Sequence, residues 1–263
     1  VQEPVKISNC VIRYNTYTGV VSTTDYGIHT VRNNTIEKNG TGIYFEHYST
    51  GNCEVNILDN HVTGNRKGME IRVSKCTITG NTVSGNTEGG GISLVSTSGE
   101  VSGNTVKGNV SWMGGGIYIH STGELMIKKN TVSGNKATNG GGLGCQSNVV
   151  AVIRENTFSQ NQASEYGGGV YINTAGQKNP VVESNIITGN YATKKGGGIY
   201  GLASGWNRSE VVTVSGKSQT VTRYVPCFTE TTNSYNGNSH GEKFGEWRSE
   251  ERRVGKECRS RGS

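Results

Sequence analysis

The sequence predicts an all-β chain wound as a right-handed parallel β-helix, a solenoid of about eight coils. An asparagine motif recurs every 21–29 residues, and a glycine followed by an apolar residue recurs in step with it. The 263 residues include 40 glycines, 3 prolines and only 32% hydrophobic residues. That apolar fraction is low for one round core of this length, and a strict period sets the chain apart from disorder.

The motif is Asn-x-(Ile/Val/Phe)-x-x-Asn. It runs Asn34-Ile36-Asn39, Asn60-Val62-Asn65, Asn81-Val83-Asn86, Asn104-Val106-Asn109, Asn130-Val132-Asn135, Asn156-Phe158-Asn161 and Asn185-Ile187-Asn190. Asn9, Val11 and Asn15 make an imperfect first copy. A variable arm then leads to the glycine step: Gly42-Ile43, Gly68-Met69, Gly91-Ile92, Gly116-Ile117, Gly142-Leu143, Gly169-Val170 and Gly198-Ile199. From the fourth copy the step is a triple glycine. A third apolar stretch closes each coil, among them Val55-Ile57, Leu125-Ile127, Val181-Val182 and Val211 to Val214.

Three short strands per period predict a triangular coil with alternating in and out residues. One coil cannot bury its own apolar face, so neighbours must stack in parallel. Asparagine tolerates left-handed backbone at corners, and stacked amides bond along the stack. Glycine supplies corner conformations that a Cβ would forbid. A helical solenoid is excluded, because Gly and Asn-Thr stand where helix formers should.

The motif resembles the generic repeat of right-handed β-helices of the pectate-lyase-like superfamily. The later copies, with Asn135-Lys136-Ala137, Phe158-Ser159-Gln160-Asn161-Gln162-Ala163 and Asn190-Tyr191-Ala192 each leading to Gly-Gly-Gly, are similar to the FxxN and GGA(I/L) repeats of polymorphic outer-membrane and adhesin-like proteins. The resemblance implies a fold rather than one activity, since such repeats serve lyases, hydrolases, epimerases, tailspikes and adhesins. It also implies a secreted or cell-surface setting.

The β-helix is expected over residues 1–214. Residues 215–247 read as a partial last coil, a cap or a loose tail, with no asparagine column after Pro226. Residues 248–261 resemble the translation of a short-read sequencing adapter, which points to a metagenomic source and makes 248–263 an artefact. That stretch carries six of the 26 basic and three of the 20 acidic residues, so half of the formal +6 charge belongs to it. A nucleic-acid partner is therefore not expected from the charge. Val1 opens inside what reads as a coil, so the chain is taken as a mature or excised fragment, expected to be a monomer. No apolar run is long enough for a transmembrane helix. The six cysteines show neither CxxC nor zinc spacing, and Cys145 reads as a small buried hydrophobe.

Counted from the glycine steps, the outward positions carry His29, Tyr44, Glu70, Ser93, Tyr118, Gly144, Tyr171 and Tyr200 in one column. Val31, Glu46, Arg72, Val95, His120, Gln146, Asn173 and Leu202 follow in the next. This face is expected to hold a polysaccharide or cell-surface glycan, with His29, Tyr44, Tyr118, His120, Tyr171, Asn173 and Tyr200 as contacts. The tyrosines equally suit a structural role, since Tyr favours strands and cross-strand stacking. Glu46, Glu70 and Arg72 are the candidate catalytic residues. Glu46 and Glu70, one coil and two residues apart, fall in the range of an inverting glycosidase pair. In a lyase Arg72 would be the base, and Glu46 and Glu70 would hold Ca²⁺. A surface ion pair is the plain alternative. The sequence thus leaves open an enzyme, a glycan-binding solenoid and a non-catalytic adhesin-like passenger.

Overall fold

A computed structural model describes residues 4–23, 26–47, 52–174, 180–201, 207–214, 217–224 and 229–240. The adapter-like residues 248–263 lie outside them, as do Leu202, Cys227 and residues 241–247.

The described chain is a parallel β-solenoid. In one coil Cys53–Leu58 lies in sheet A, His61–Thr63 in sheet B and Lys67–Arg72 in sheet C. Sheets A and B each have nine strands, and sheet C has eight, from Thr18–Ser22 to Ile199–Gly201. Each strand pairs in parallel with its equivalent one coil away, as Ile43 does with Met69 and Ile57 with Ile78. Alternate residues face the core, so Val55, Ile57, Val62, Met69 and Ile71 from the three sides are all buried. Cys145 is buried among them, as expected, and burial drives its thiol pKa up. The four described cysteines are free thiols.

Two internal columns of asparagine run the length of the stack. Asn60 Nδ2 donates to Asn81 Oδ1 at 3.0 Å and to the Val31 carbonyl at 2.8 Å. Its own Oδ1 accepts from the backbone N–H and the amide of Asn34, both at 3.0 Å. The second column repeats this from Asn39 through Asn65, Asn86 and Asn109 to Asn190. The left-handed backbone expected of these asparagines belongs instead to the residue before each: Asp59 (φ 55°), Lys129 (φ 57°) and Gly134 (φ 62°). That residue turns the corner, and the column asparagine can then extend inward.

Four expectations change. First, the opening copy is framed one residue later. Cys10 stands in the asparagine column, its N–H donating to Asn34 Oδ1 at 2.9 Å. Ile12 rather than Val11 packs on the core. Second, the asparagine columns do not stop before Pro226. Asn233 and Asn238 accept from Asn185 and Asn190, 48 residues earlier, and Thr229–Thr231 and Ser234–Asn236 extend sheets A and B. Third, Val211 to Val214 do not close a coil. They belong to Asn207–Val214, which pairs antiparallel with Lys217–Tyr224 as a hairpin inserted between coils. Fourth, the later coils have a fourth side. Lys136–Asn139, Gln162–Tyr166, Tyr191–Ala192 and Ser239–His240 form a short sheet D from the arms.

The triple glycines explain how the arms fit. At Gly114 (φ 59°) a Cβ would lie 2.3 Å from the Ile117 carbonyl oxygen, so the backbone folds back on itself. Gly116 is not left-handed. A Cβ there would lie 2.6 Å from the Gly142 oxygen and 2.6 Å from Val132, so glycine is set by the closeness of the next coil.

Replacing Asn109 by Ala strands the amide and N–H of Asn86, the Val83 carbonyl and part of the Asn135 acceptor, all shielded from water. The expected loss is at least about 3 kcal/mol in urea or thermal unfolding, since each orphaned buried group costs roughly 1–3 kcal/mol. Ser133→Ala on the outer side of sheet B should stay within about 0.5 kcal/mol.

Candidate functional site

The candidate residues other than His29 lie on the outer face of sheet C. The strand alternation that buries Ile43 and Phe45 turns Tyr44 and Glu46 outward. Register then aligns Tyr44, Glu70, Ser93, Tyr118, Gly144, Tyr171 and Tyr200 in one row. Glu46 faces Arg72 as expected, and His120, Gln146 and Asn173 continue farther along.

One end of the row is charged and closed on itself. Arg72 Nη2 lies 2.6 Å and Nε 3.1 Å from Glu70 Oε1, and Nη1 lies 3.7 Å from Glu46 Oε1. Lys67 Nζ donates to the other Glu70 oxygen at 3.0 Å. The Tyr44 hydroxyl donates to Glu46. The two carboxylates are only 11% and 13% exposed. Burial pushes the Glu70 carboxyl up, but hydrogen bonds and charge from Lys67 and Arg72 outweigh it and hold its pKa below the ordinary value. Burial likewise opposes the charge on Arg72. The Glu70 hydrogen bond and the charges of Glu70 and Glu46 prevail, and its pKa is raised. Glu70 therefore stays ionised and Arg72 protonated. For calcium the cluster offers two carboxylates, Glu46 and Glu70, with Arg72 against both, whereas Ca²⁺ takes six to eight oxygens. Among the described residues no three or more His, Cys, Asp or Glu side chains group as a metal site.

The other end is uncharged and aromatic. The Tyr118 hydroxyl donates to Gln146 Oε1 at 2.8 Å, and its ring lies 6.1 Å from that of His120. His120 Nε2 is 3.2 Å from the Ser147 hydroxyl. Tyr171 and Tyr200 stack with centroids 6.0 Å apart and planes within 6°. Tyr118, His120, Gln146, Asn173 and Tyr200 are partly exposed. Tyr171, expected as a glycan contact, is only 6% exposed. It points outward from sheet C but is covered, and its hydroxyl hydrogen-bonds Asn173. Gly144 breaks the row. A side chain there would meet the Gly114 backbone at 2.9 Å, because the arm from the coil before crosses at that level.

His29 is not on this face at all. The glycine step of its coil is Gly19-Val20, with Val20 in register with Ile43, so Gly27 starts a sheet A strand and Ile28 is the outward residue. His29 points inward, fully buried, its ring 5.6 Å from Phe45, and Val31, expected outward in the same strand, is likewise in the core.

Counting outward positions also missed Lys67, Ser147 and Tyr166. Lys67 stands three residues before Glu70, a pairing visible in the sequence. Tyr166, just before a triple glycine, lies in sheet D and stacks on Tyr200 at 4.7 Å. No strand period could place it, because the arms have no fixed length. Lys194 sits 5.4 Å over the Tyr166 ring and pairs with Glu165 at 2.7 Å.

Residues 3–110 and 51–215 match the family model described as a right handed beta helix region. No curated protein and no solved structure matches the chain. Among the described residues no helix is long and apolar enough to cross a membrane.

The buried histidine gives a pH signature. His29 Nδ1 accepts from the Val5 N–H at 3.1 Å, so the ring is neutral there. Burial lowers its pKa from 6.5, with a hydrogen bond to the Tyr26 backbone opposing. The unfolded chain therefore takes up a proton before the folded one does. Stability should be full above about pH 6.5 and fall as pH drops below it toward the folded pKa. Thermal melting between pH 7 and 5 checks this. The wild type should lose stability on acidification by more than a His29→Leu chain, while Glu70 stays ionised in that window.

Proposed function

We propose, from the premise that the chain belongs to the right-handed β-helix family, that it is a secreted or cell-surface protein that holds a polysaccharide on the outer face of sheet C. The observation that carries this reading is the uncharged half of that face. There Tyr118, His120, Gln146, Asn173 and Tyr200 are half-buried, and the phenol and imidazole contacts with Gln146 and Ser147 fix the orientation of Tyr118, His120 and Gln146 in advance. Pre-oriented groups lose less freedom on binding. Aromatic rings offer an apolar face to a sugar ring, and amides offer a donor and an acceptor to its hydroxyls. Sheet B, by contrast, turns mostly Thr and Ser outward, as in Thr131 and Ser133 or Thr157 and Ser159.

Binding is favoured over turnover by the state of the charged half. Of an inverting pair one carboxyl must be a protonated acid near the working pH; Lys67 and Arg72 keep Glu70 ionised, and Arg72 also stands 3.7 Å from Glu46. A lyase using Arg72 as base would need a neutral guanidinium, whose pKa here is pushed higher still. The Glu46, Glu70 and Arg72 cluster is accordingly read as a network that stiffens this end of the face.

A glycan array probed with the full chain tests the reading. Selective binding is expected, weakened at least about tenfold by Tyr118→Ala or Tyr200→Ala, as for an interface anchor. Absence of binding to every glycan, or binding untouched by both substitutions, would refute it.

A further inference from the structure

We infer that the glycan held on sheet C is a neutral one, not a polyuronate or a sulfated chain; the inference rests on the glycan-binding reading above. A polyanionic sugar needs cations free to meet its carboxylates or sulfates, through charge-assisted and often bidentate bonds. The outward positions of the described sheet C strands do not offer them; Lys195, next along the arm from Lys194, lies off that sheet in a bridge to Tyr166. Arg72 is held by Glu70 at 2.6 Å and by Glu46 at 3.7 Å. Lys67 is held by the second oxygen of Glu70 at 3.0 Å. Lys194, where the arm meets the aromatic end, is held by Glu165 at 2.7 Å. Each of these cations thus faces a carboxylate, with Arg72 and Lys67 sharing Glu70, and the charged end presents two carboxylates against two cations. An incoming uronate would have to displace Glu70 from a pair of bonds and would itself approach the carboxylate of Glu46.

The outward groups from Ser93 to Tyr200 point the other way. They include Tyr, Ser, His, Gln and Asn and no Lys, Arg, Asp or Glu. Gln146 gives its carbonyl oxygen to the Tyr118 hydroxyl, which leaves its amide N–H groups to serve a ligand's oxygens as neutral donors. Neutral hydroxyls can be bonded by such groups without any charge being desolvated. The ligand class follows from what is already paired as much as from what is exposed.

The test is affinity electrophoresis or biolayer interferometry of the full chain. The panel contains neutral polymers (a β-glucan, a galactomannan and a xyloglucan), polyuronates (polygalacturonate and alginate) and heparin. Each is run at about 50 mM and about 500 mM salt, which screens exposed charge pairs. A neutral polymer should bind at least about tenfold tighter than any polyanion, with less than about a twofold change with salt. Gln146→Ala should weaken that binding about tenfold, while Thr131→Ala on sheet B leaves it within about twofold. A polyanion bound more tightly, with affinity falling as salt rises, overturns the neutral class and leaves the glycan-binding reading intact. No binding to any polymer overturns both.

Discussion

A buried asparagine amide has two donors and an acceptor with two lone pairs, and in this solenoid the adjoining coils satisfy them. Asn135 donates to Asn161 one coil on and to the Val106 carbonyl one coil back, while its oxygen accepts twice from Asn109. A slip of one residue in any coil would leave several of these groups unpaired in a dry interior. The ladders fix register where apolar packing alone does not: a slip of two residues keeps the apolar side chains inward, but it separates every bonded amide from its partner. The alignment of the outer rows on sheet C is a consequence. Glu46 meets Arg72, and Tyr171 meets Tyr200, because asparagines on the other side of the coil are bonded in step.

The glycines supply the second constraint. At Gly42, Gly91 and Gly116 the carbonyl of the next coil stands where a Cβ would be, within 2.6 Å. The strand that follows each step starts from a fixed position against its neighbour. What lies between the second asparagine and the step is not constrained in this way. The arms lengthen, pair as sheet D and fold across sheet C, which is how Tyr166 reaches Tyr200 and Gly144 loses its room for a side chain. Scaffold and variable surface are thus separated within each repeat, as expected where function is grafted on a fold.

The same separation decides what could be read in advance. Sheets, registers and core were legible from Asn34 to Ile199, because both markers recur there with little change. The reading failed where a marker was replaced or displaced. Cys10 stands in for an asparagine, and Asn9 beside it mimics the marker one residue early. Gly27 is followed by an apolar residue as a step glycine is, but the step of that coil is Gly19, which places His29 in sheet A and turns it inward. The hairpin of Asn207–Val214 and Lys217–Tyr224 stretches one spacing to 48 residues, which hid Asn233 and Asn238. At the site, the Glu46–Arg72 juxtaposition followed from period alone. The burial of Tyr171 and the capture of Arg72 by Glu70 within its own strand depend on arms and rotamers, which period does not encode.

The dependence on the asparagine ladders is most directly tested by side-chain amide hydrogen exchange of the native chain, followed by NMR. Column amides from Asn60 through Asn185 should remain protected long after the outward-facing Asn56 has exchanged, and protection should be lost together when the coil opens. Column amides exchanging as fast as Asn56 would contradict the account, because they would be open to water rather than bonded from coil to coil.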